Sequence, residues 1–224
     1  MKLRRSVPII PAFLAGLALW ACADIAAPDR SNAYEWRLIV PGATGAPDTL
    51  SFHWPQSRLP VKIWAEDVFG LPDHTRNGIA QWKAGFLYRE FDAEMVSDSN
   101  VADVIVSSGT AVKGGFSVFR LRSASAPECE GGTDFDLPEG SREIQPPIRV
   151  FVNPRIDPSL PGVDECLALT TTHELGHAIG IFQHSPVATD LMFADPTVAG
   201  PSDRDRSTAE LAYHTEATLT MGVR

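Results

Sequence analysis

The segment HELGHAIGIFQHSPVATDLM, residues 173–192, carries the strongest pattern in this chain of 224 residues. Residues four apart on an α-helix project from the same face, so His173 and His177 would direct their imidazoles at one position. Two imidazoles at that spacing can bind a single Zn²⁺ ion at about 2.0–2.1 Å. Glu174 lies about 100° further round the helix, off the metal but close to a water bound to it. The pattern therefore predicts a zinc site with Glu174 as general base.

The residues after this helix provide two candidates for a third metal ligand. Gly180 can take the left-handed conformation that ends a helix, after which the chain can fold back toward the metal. Gln183 and His184 follow it closely in the sequence. Because imidazole is a far better zinc ligand than a neutral amide, we expect His184 to complete the site.

The whole segment resembles the active site of metzincin metallopeptidases, most closely that of their matrixin branch. The likeness rests on the HExxH sequence, on Gly180, on a third histidine followed by Ser185, and on Met192 eight residues after His184. It implies that the three histidines bind one Zn²⁺ ion, that Glu174 is the general base and that Met192 forms a turn beneath the metal. This chain has three residues between Gly180 and His184, where the family pattern has two. We expect the loop to absorb the additional residue.

Hydrophobic periodicity indicates an α+β fold. The resemblance implies a metzincin-like catalytic domain, with a twisted mixed β-sheet, a backing helix, the active-site helix, the Met-turn and a C-terminal helix. Helices are expected after a cap at Asp73, over Glu165–Ile179 after a cap at Asp164, and up to Tyr213 after a capping box formed by Ser202 and Asp205. Strands are expected at Leu59–Ala65, Phe86–Met95, Val101–Ser107, Gly115–Leu121 and Ile148–Val152.

Residues 1–21 resemble an export signal. Basic residues at positions 2, 4 and 5 precede an apolar run, Val7–Trp20, that is short for a membrane span. The run ends in LWAC, residues 19–22, which resembles a bacterial lipobox, so we expect a lipoprotein-type signal with Cys22 acylated. An ordinary secretory signal cut near Ala21 or Ala23 is the alternative. Both predict an exported protein, and membrane contact is expected only through a lipid anchor if Cys22 is acylated. Residues 22–49 are interpreted as a tether and leading edge, and 50–224 as the catalytic domain.

Two cysteines remain if Cys22 carries lipid. An even pair in an oxidising compartment favours a disulfide, so we expect Cys129 to bond with Cys166. Two free buried thiols are the alternative.

The charge distribution bears on the partners. The net charge of −9 argues against nucleic acid, because an acidic surface repels phosphate backbones. Five acidic residues lie in Glu128–Glu139 and could supply oxygen ligands for Ca²⁺. The segment lacks the spacing of a known calcium loop, so Ca²⁺ is unsupported and we interpret the segment as a solvated loop.

These features together predict a zinc-dependent endopeptidase that hydrolyses peptide bonds through a metal-activated water, acting as a monomer on proteins or peptides. In metzincins the substrate lies along an edge strand, and Gly115–Leu121 is the candidate for that strand. Two alternatives stay open: a catalytically weak surface-binding protein that retains the zinc domain, and a metal hydrolase of non-peptide amides or esters. The intact Glu174 argues against the binding protein, which has no need of a general base.

Overall fold

The structure, a computed structural model, describes residues 30, 32–41, 45–109, 118–122, 128–138 and 140–223, with the backbone path alone for 118–122. The strands of this part of the chain are β1 Leu38–Pro41, β2 Pro47–Leu50, β3 Val61–Ala65, β4 Ala93–Met95, β5 Val104–Ser107, β6 Val118–Arg122, β7 Cys129–Asp136, β8 Glu143–Pro154 and β9 Thr220–Met221. The helices are α1 Leu71–Lys83, α2 Val163–Ala178 and α3 Asp203–Tyr213.

The strands form one mixed sheet and one small hairpin. The sheet has seven strands in the order β4-β3-β5-β8-β7-β6, and β9 pairs with β8. Strands β3, β4, β5 and β8 are parallel, whereas β7 runs antiparallel to both β8 and β6. The hairpin consists of β1 and β2. A mixed sheet with three helices in the described residues agrees with the expected α+β class.

Alternating apolar residues direct one face of the sheet into the core. In β3, β5 and β8 buried residues alternate with more exposed ones, as the two-residue period of a strand requires. Helix α1 contacts β3, β4 and β5, and helix α2 contacts β7 and β8. The buried members of these strands include Val61, Ile63, Val104, Val106, Ile148, Val150 and Val152.

Helices α1 and α2 begin at glycines and not at the expected aspartates. Gly70 and Gly162 are the N-cap residues, and both have left-handed backbone. Asp73 and Asp164 lie in the first turns, where negative charge is favourable against the helix dipole. The predicted aspartate caps are therefore wrong, because the left-handed entry into each helix favours glycine over a capping side chain.

The capping box at the start of α3 is confirmed. The N–H of Asp205 donates to the hydroxyl of Ser202 over 3.1 Å, and the N–H of Ser202 donates to the Asp205 carboxylate over 2.9 Å.

The acidic segment that was expected to be a solvated loop forms a strand. Most of it lies in β7, which pairs with β6 on one side and β8 on the other. Thr133, Asp134 and Phe135 are buried. The loop prediction was wrong because pairing on both sides, which the composition does not reveal, holds this polar segment in the sheet. Glu139 lies outside the described residues.

One other strand prediction needs correction, and another is confirmed over its described part. The strand expected at Phe86–Met95 is confined to β4, and Arg89, with a φ of +57°, interrupts its earlier part. The expected edge strand Gly115–Leu121 corresponds to β6 at the end of the sheet, with 115–117 outside the described residues.

Aromatic residues ahead of position 50 belong to the folded unit, which comprises Asn32–Arg224. Tyr34, Trp36 and Leu38 are buried in its core, so the leading edge expected in 22–49 contributes more than a tether. The export signal at 1–21 and Cys22 lie outside the described residues. No helix within the described ranges is long and apolar enough to cross a membrane.

The structure contains the expected disulfide. It joins Cys129 on β7 to Cys166 on α2, with 6.0 Å between the two Cα atoms. This bond ties the strand to the helix that carries the HExxH sequence.

Candidate metal centre

Three histidines converge on one point beside helix α2. His173 and His177 lie one turn apart on α2, and His184 comes from the loop that follows it. The Nε2 atom of His177 lies 3.1 Å from Nε2 of His173 and 3.3 Å from Nε2 of His184. One ligand atom from each ring lies within 4.8 Å of the others, so the three residues can hold one metal ion.

Backbone carbonyls orient the two helical imidazoles. Nδ1 of His173 lies 2.6 Å from the carbonyl oxygen of Leu191, and Nδ1 of His177 lies 2.6 Å from that of Ile181. A carbonyl oxygen only accepts, so each Nδ1 carries the proton and donates it. The lone pair of each Nε2 is then left for a metal ion.

Burial keeps the three imidazoles neutral, which is the form that binds metals. Loss of hydration on burial lowers the pKa of His173 to about 3 and the pKa of His177 well below its usual value. The pKa of His184 is also lowered by burial, although the nearby Asp195 opposes that shift. All three rings are therefore available as neutral ligands at pH 7.

The turn after α2 brings the carbonyl of Ile181 to the ring of His177. The N–H groups of Gly180 and Ile181 donate to the carbonyls of His177 and Gly176, which closes the helix end. Gly180 has a φ of +120°, and a side chain there would collide with the carbonyl of Phe52. Both the backbone conformation and the available space therefore require glycine at residue 180.

The additional residue between Gly180 and His184 is accommodated beside the N-terminal segment. The backbone N–H groups of Phe182 and Gln183 both donate to the carbonyl of Trp36, over 2.7 and 3.2 Å. This shared acceptor holds the widened loop. His184, the expected third ligand, reaches the cluster although it comes one residue later than in the family pattern.

Met192 is fully buried against α2, where Gly176 leaves room for it. A Cβ atom on residue 176 would overlap the sulfur of Met192 and lie 2.6 Å from Cζ2 of Trp82. The neighbouring residue, Leu191, supplies the carbonyl that orients His173. The segment around Met192 therefore packs on the helix and also fixes one histidine.

A buried carboxylate that the sequence did not assign to the site holds this segment in place. Oδ2 of Asp205 accepts from the N–H of Leu191 over 2.8 Å, and Oδ1 accepts from the hydroxyl of Tyr34 over 3.0 Å. Burial raises the pKa of Asp205, and the N–H groups of Ser202 and Leu191 oppose that rise. The capping-box pattern identified Asp205, but its other partners are too distant in sequence for a local pattern to reveal.

A second buried carboxylate, Asp190, ties the loop after the third histidine to the start of α3. It accepts from the hydroxyl of Ser185 and, over 2.8 Å, from that of Ser202. Nε of Arg204 lies 3.2 Å from Oδ2 of the same carboxylate. The loop is thus fixed at both of its ends.

Glu174 is fully buried beside the histidines, with one carboxylate oxygen directed at strand β7. Its Oε2 accepts from the hydroxyl of Thr133 over 2.7 Å. Sequence patterns missed Thr133 because it lies 41 residues away and in a segment that was interpreted as a loop.

The histidines are the one set of His, Cys, Asp or Glu side chains in the described ranges that is close enough to hold a metal ion. The acidic residues of β7 belong to no such set among the described residues.

Comparisons with known proteins add no assignment: no family model matches the chain, and no curated protein matches it. The functional conclusion therefore rests on the motif and on the geometry of the cluster.

Proposed function

We propose that the protein is a zinc-dependent endopeptidase in which His173, His177 and His184 hold one Zn²⁺ ion and Glu174 is the general base. The observation that carries the proposal is the convergence of one nitrogen from each of three imidazoles within 4.8 Å. Glu174 follows directly after the first of these histidines, on the same helix.

The donor set favours zinc among the common metals. Three imidazole ligands, with a fourth position open to water or substrate, are typical of catalytic zinc sites. Calcium and magnesium prefer oxygen ligands, which the cluster does not offer. A bound zinc ion would supply a water with a pKa of about 7 and would polarise the substrate carbonyl.

Glu174 moves the proton that hydrolysis of a peptide bond requires. Its carboxylate takes a proton from the attacking water and returns it to the leaving amine. The hydrogen bond from Thr133 stabilises the ionised carboxylate, which is the form that begins this cycle.

We propose proteins or peptides as substrates, approaching from the side of His184. That residue is partly exposed, whereas His173 and His177 are buried. Strand β6 ends the described sheet, and an extended peptide can add to such an edge. The resemblance of residues 173–192 to matrixin-like metzincins favours peptide bonds over other amides and esters.

We also propose that the protein is exported and acts as a monomer, with Cys22 as the site of lipid attachment. Mass spectrometry of the mature N-terminal peptide tests this directly. A diacylglyceryl mass on Cys22 supports the anchor, and an unmodified N-terminus near Ala21 supports an ordinary secretory signal.

The test of the proposed function is digestion of casein or gelatin by the purified, zinc-loaded protein. We expect a chelator to abolish digestion, and Glu174→Ala to retain zinc while losing about 10²–10⁴-fold in rate. Glu165→Ala, which changes an exposed carboxylate on the same helix, is the matched control and should retain activity. Full activity in Glu174→Ala would refute the mechanism. Zinc binding without hydrolysis by the wild type would favour the surface-binding alternative.

A further inference from the structure

Strand β7 and helix α2 meet along a seam of six residues that ends at Glu174. Alternate residues of a strand share one face, and residues four apart on a helix share another. The disulfide forms one end of the seam, and Sγ of the strand cysteine lies 3.2 Å from Oγ1 of Thr170. The seam consists of Cys129, Gly131 and Thr133 on β7 and of Cys166, Thr170 and Glu174 on α2.

Gly131 determines how closely the strand approaches the helix. A Cβ atom at this position would overlap the side chain of Thr170 and lie 2.8 Å from Oε1 of Glu174. Real Cβ atoms do not approach other atoms this closely. The missing side chain therefore allows β7 to lie against α2 at the distance from which Thr133, two residues further along the strand, reaches Glu174.

The hydroxyl of Thr133 donates a hydrogen bond to the carboxylate of Glu174. Its Oγ1 lies 2.7 Å from Oε2 of the carboxylate and 3.1 Å from the backbone oxygen of the same residue. A hydroxyl has one proton, and an ionised carboxylate is the stronger acceptor, so the proton goes to Oε2. Thr133 is fully buried and β-branched, which leaves its side chain few alternative orientations.

We propose that Thr133 is the positioning residue for Glu174: it holds the carboxylate in the orientation from which the general base acts. This inference rests on the proposed function. The glutamate side chain has three rotatable bonds, and the hydroxyl fixes its far end against a strand that the disulfide also ties to the helix. Loss of such orientation slows the chemical step and leaves substrate binding largely unchanged.

The experiment compares Thr133→Val, which removes the hydroxyl and keeps the shape, with Thr133→Ser, which keeps the hydroxyl. We expect Thr133→Val to lower kcat by about 10- to 100-fold with KM within about threefold of the wild type, and with zinc content unchanged. Thr133→Ser should recover kcat to within about threefold. Thr75→Val is the matched control, because Thr75 is fully buried on α1 and its hydroxyl has no hydrogen-bond partner among the described residues.

Three outcomes, two kinetic and one in zinc content, would overturn the proposal. They are an unchanged kcat in Thr133→Val, an equal loss in Thr133→Ser, or loss of zinc from Thr133→Val. The last two would mean that the residue serves packing or metal binding and not the orientation of Glu174.

A thermal measurement separates this proposal from the proposed function. The unfolding midpoints of four metal-free proteins form a double-mutant cycle, which can be measured whether or not the protein is an active enzyme. The four proteins are the wild type, Thr133→Val, Glu174→Ala and the double variant. If Thr133 holds Glu174, the two single decreases should sum to at least about 2 °C more than the decrease in the double variant. Additive decreases would overturn the role of Thr133 even in an active enzyme. A wild type that cleaves no peptide would reject the function alone.

Discussion

At the scale of single residues, the three-histidine cluster is organised by groups that do not belong to it. The carbonyls of Ile181 and Leu191 set the tautomers of the two helical histidines. The carbonyl of Trp36 holds the widened loop through two backbone N–H groups. His184 therefore reaches the cluster because the backbone before it is fixed.

His184, and not Gln183, is expected to be the third metal ligand. After dialysis, His184→Ala should lose bound zinc, because two imidazoles remain where a catalytic zinc site uses three protein ligands. Gln183→Ala should keep about one ion per chain, because the bond from residue 183 to Trp36 uses the backbone N–H and not the side chain. Zinc content measured by mass spectrometry of the two purified variants decides between them. Loss from Gln183→Ala with retention in His184→Ala would reverse the assignment.

The sequence predicted the histidines of the cluster and Glu174, but not the residues that support them. His173, Glu174 and His177 were predictable because a helix imposes their spacing. Thr133 and Asp205 were not assigned to the site, because they meet its residues from other elements of the chain. No local spacing encodes such contacts.

At the scale of elements, helix α2 is packed on all sides in its second half. Every residue from Thr170 to Ala178 is buried. Gly176 and Gly78, like Gly131 on β7, set the distance between this helix and its neighbours. At Gly176 the helix meets Met192 and Trp82. Where α2 packs against α1, Gly78 of α1 leaves room for Leu175 of α2. A Cβ atom at residue 78 would lie 2.8 Å from Cδ1 of Leu175.

We expect Gly176→Ala to destabilise the protein, because the added methyl would overlap Met192 and Trp82. Overpacking of this kind costs about 1–3 kcal/mol, so the unfolding midpoint of the metal-free protein should fall by about 2–12 °C. Gly85→Ala is the control, since its nearest neighbour would lie 3.3 Å away on the flexible side chain of Arg206. Equal midpoints for both variants would contradict the packing described for α2.

Elements were predictable where burial follows a regular period. Strands β3 and β5 and the first half of α2 have such a period, and their positions were predicted to within a few residues. Strand β7 reads CEGGTDFD and has no apolar alternation to indicate a strand. Its structure comes from two neighbouring strands and from the seam with α2, which are properties of the assembled sheet.

At the scale of the whole molecule, the N-terminal segment from residue 32 supports the centre from two directions. The hydroxyl of Tyr34 donates to Asp205, which holds the backbone of Leu191. The carbonyl of Trp36 accepts from the loop that leads to His184. A segment interpreted from the sequence as a tether and leading edge thus contacts the loop before His184 directly and holds the backbone of Leu191 through Asp205.

Truncation tests this contribution. A chain of residues 32–224 should have the same unfolding midpoint and zinc affinity as the full chain. A chain of residues 38–224 lacks the buried side chains of Tyr34 and Trp36. The loss of two large aromatic side chains should lower the unfolding midpoint by at least about 10 °C. It should also weaken zinc binding, which a competition titration with a chelator measures. Equal midpoints and equal zinc affinities for the two chains would show that the segment is dispensable.

X-ray diffraction from zinc-loaded crystals, recorded on both sides of the zinc absorption edge, shows directly whether the three histidines form a zinc centre. We predict one anomalous peak between the imidazoles, with Nε2 of His173, His177 and His184 at about 2.0–2.1 Å from the ion. A peak elsewhere, a peak ligated by Gln183 in place of His184, or no peak in zinc-saturated crystals would contradict the account.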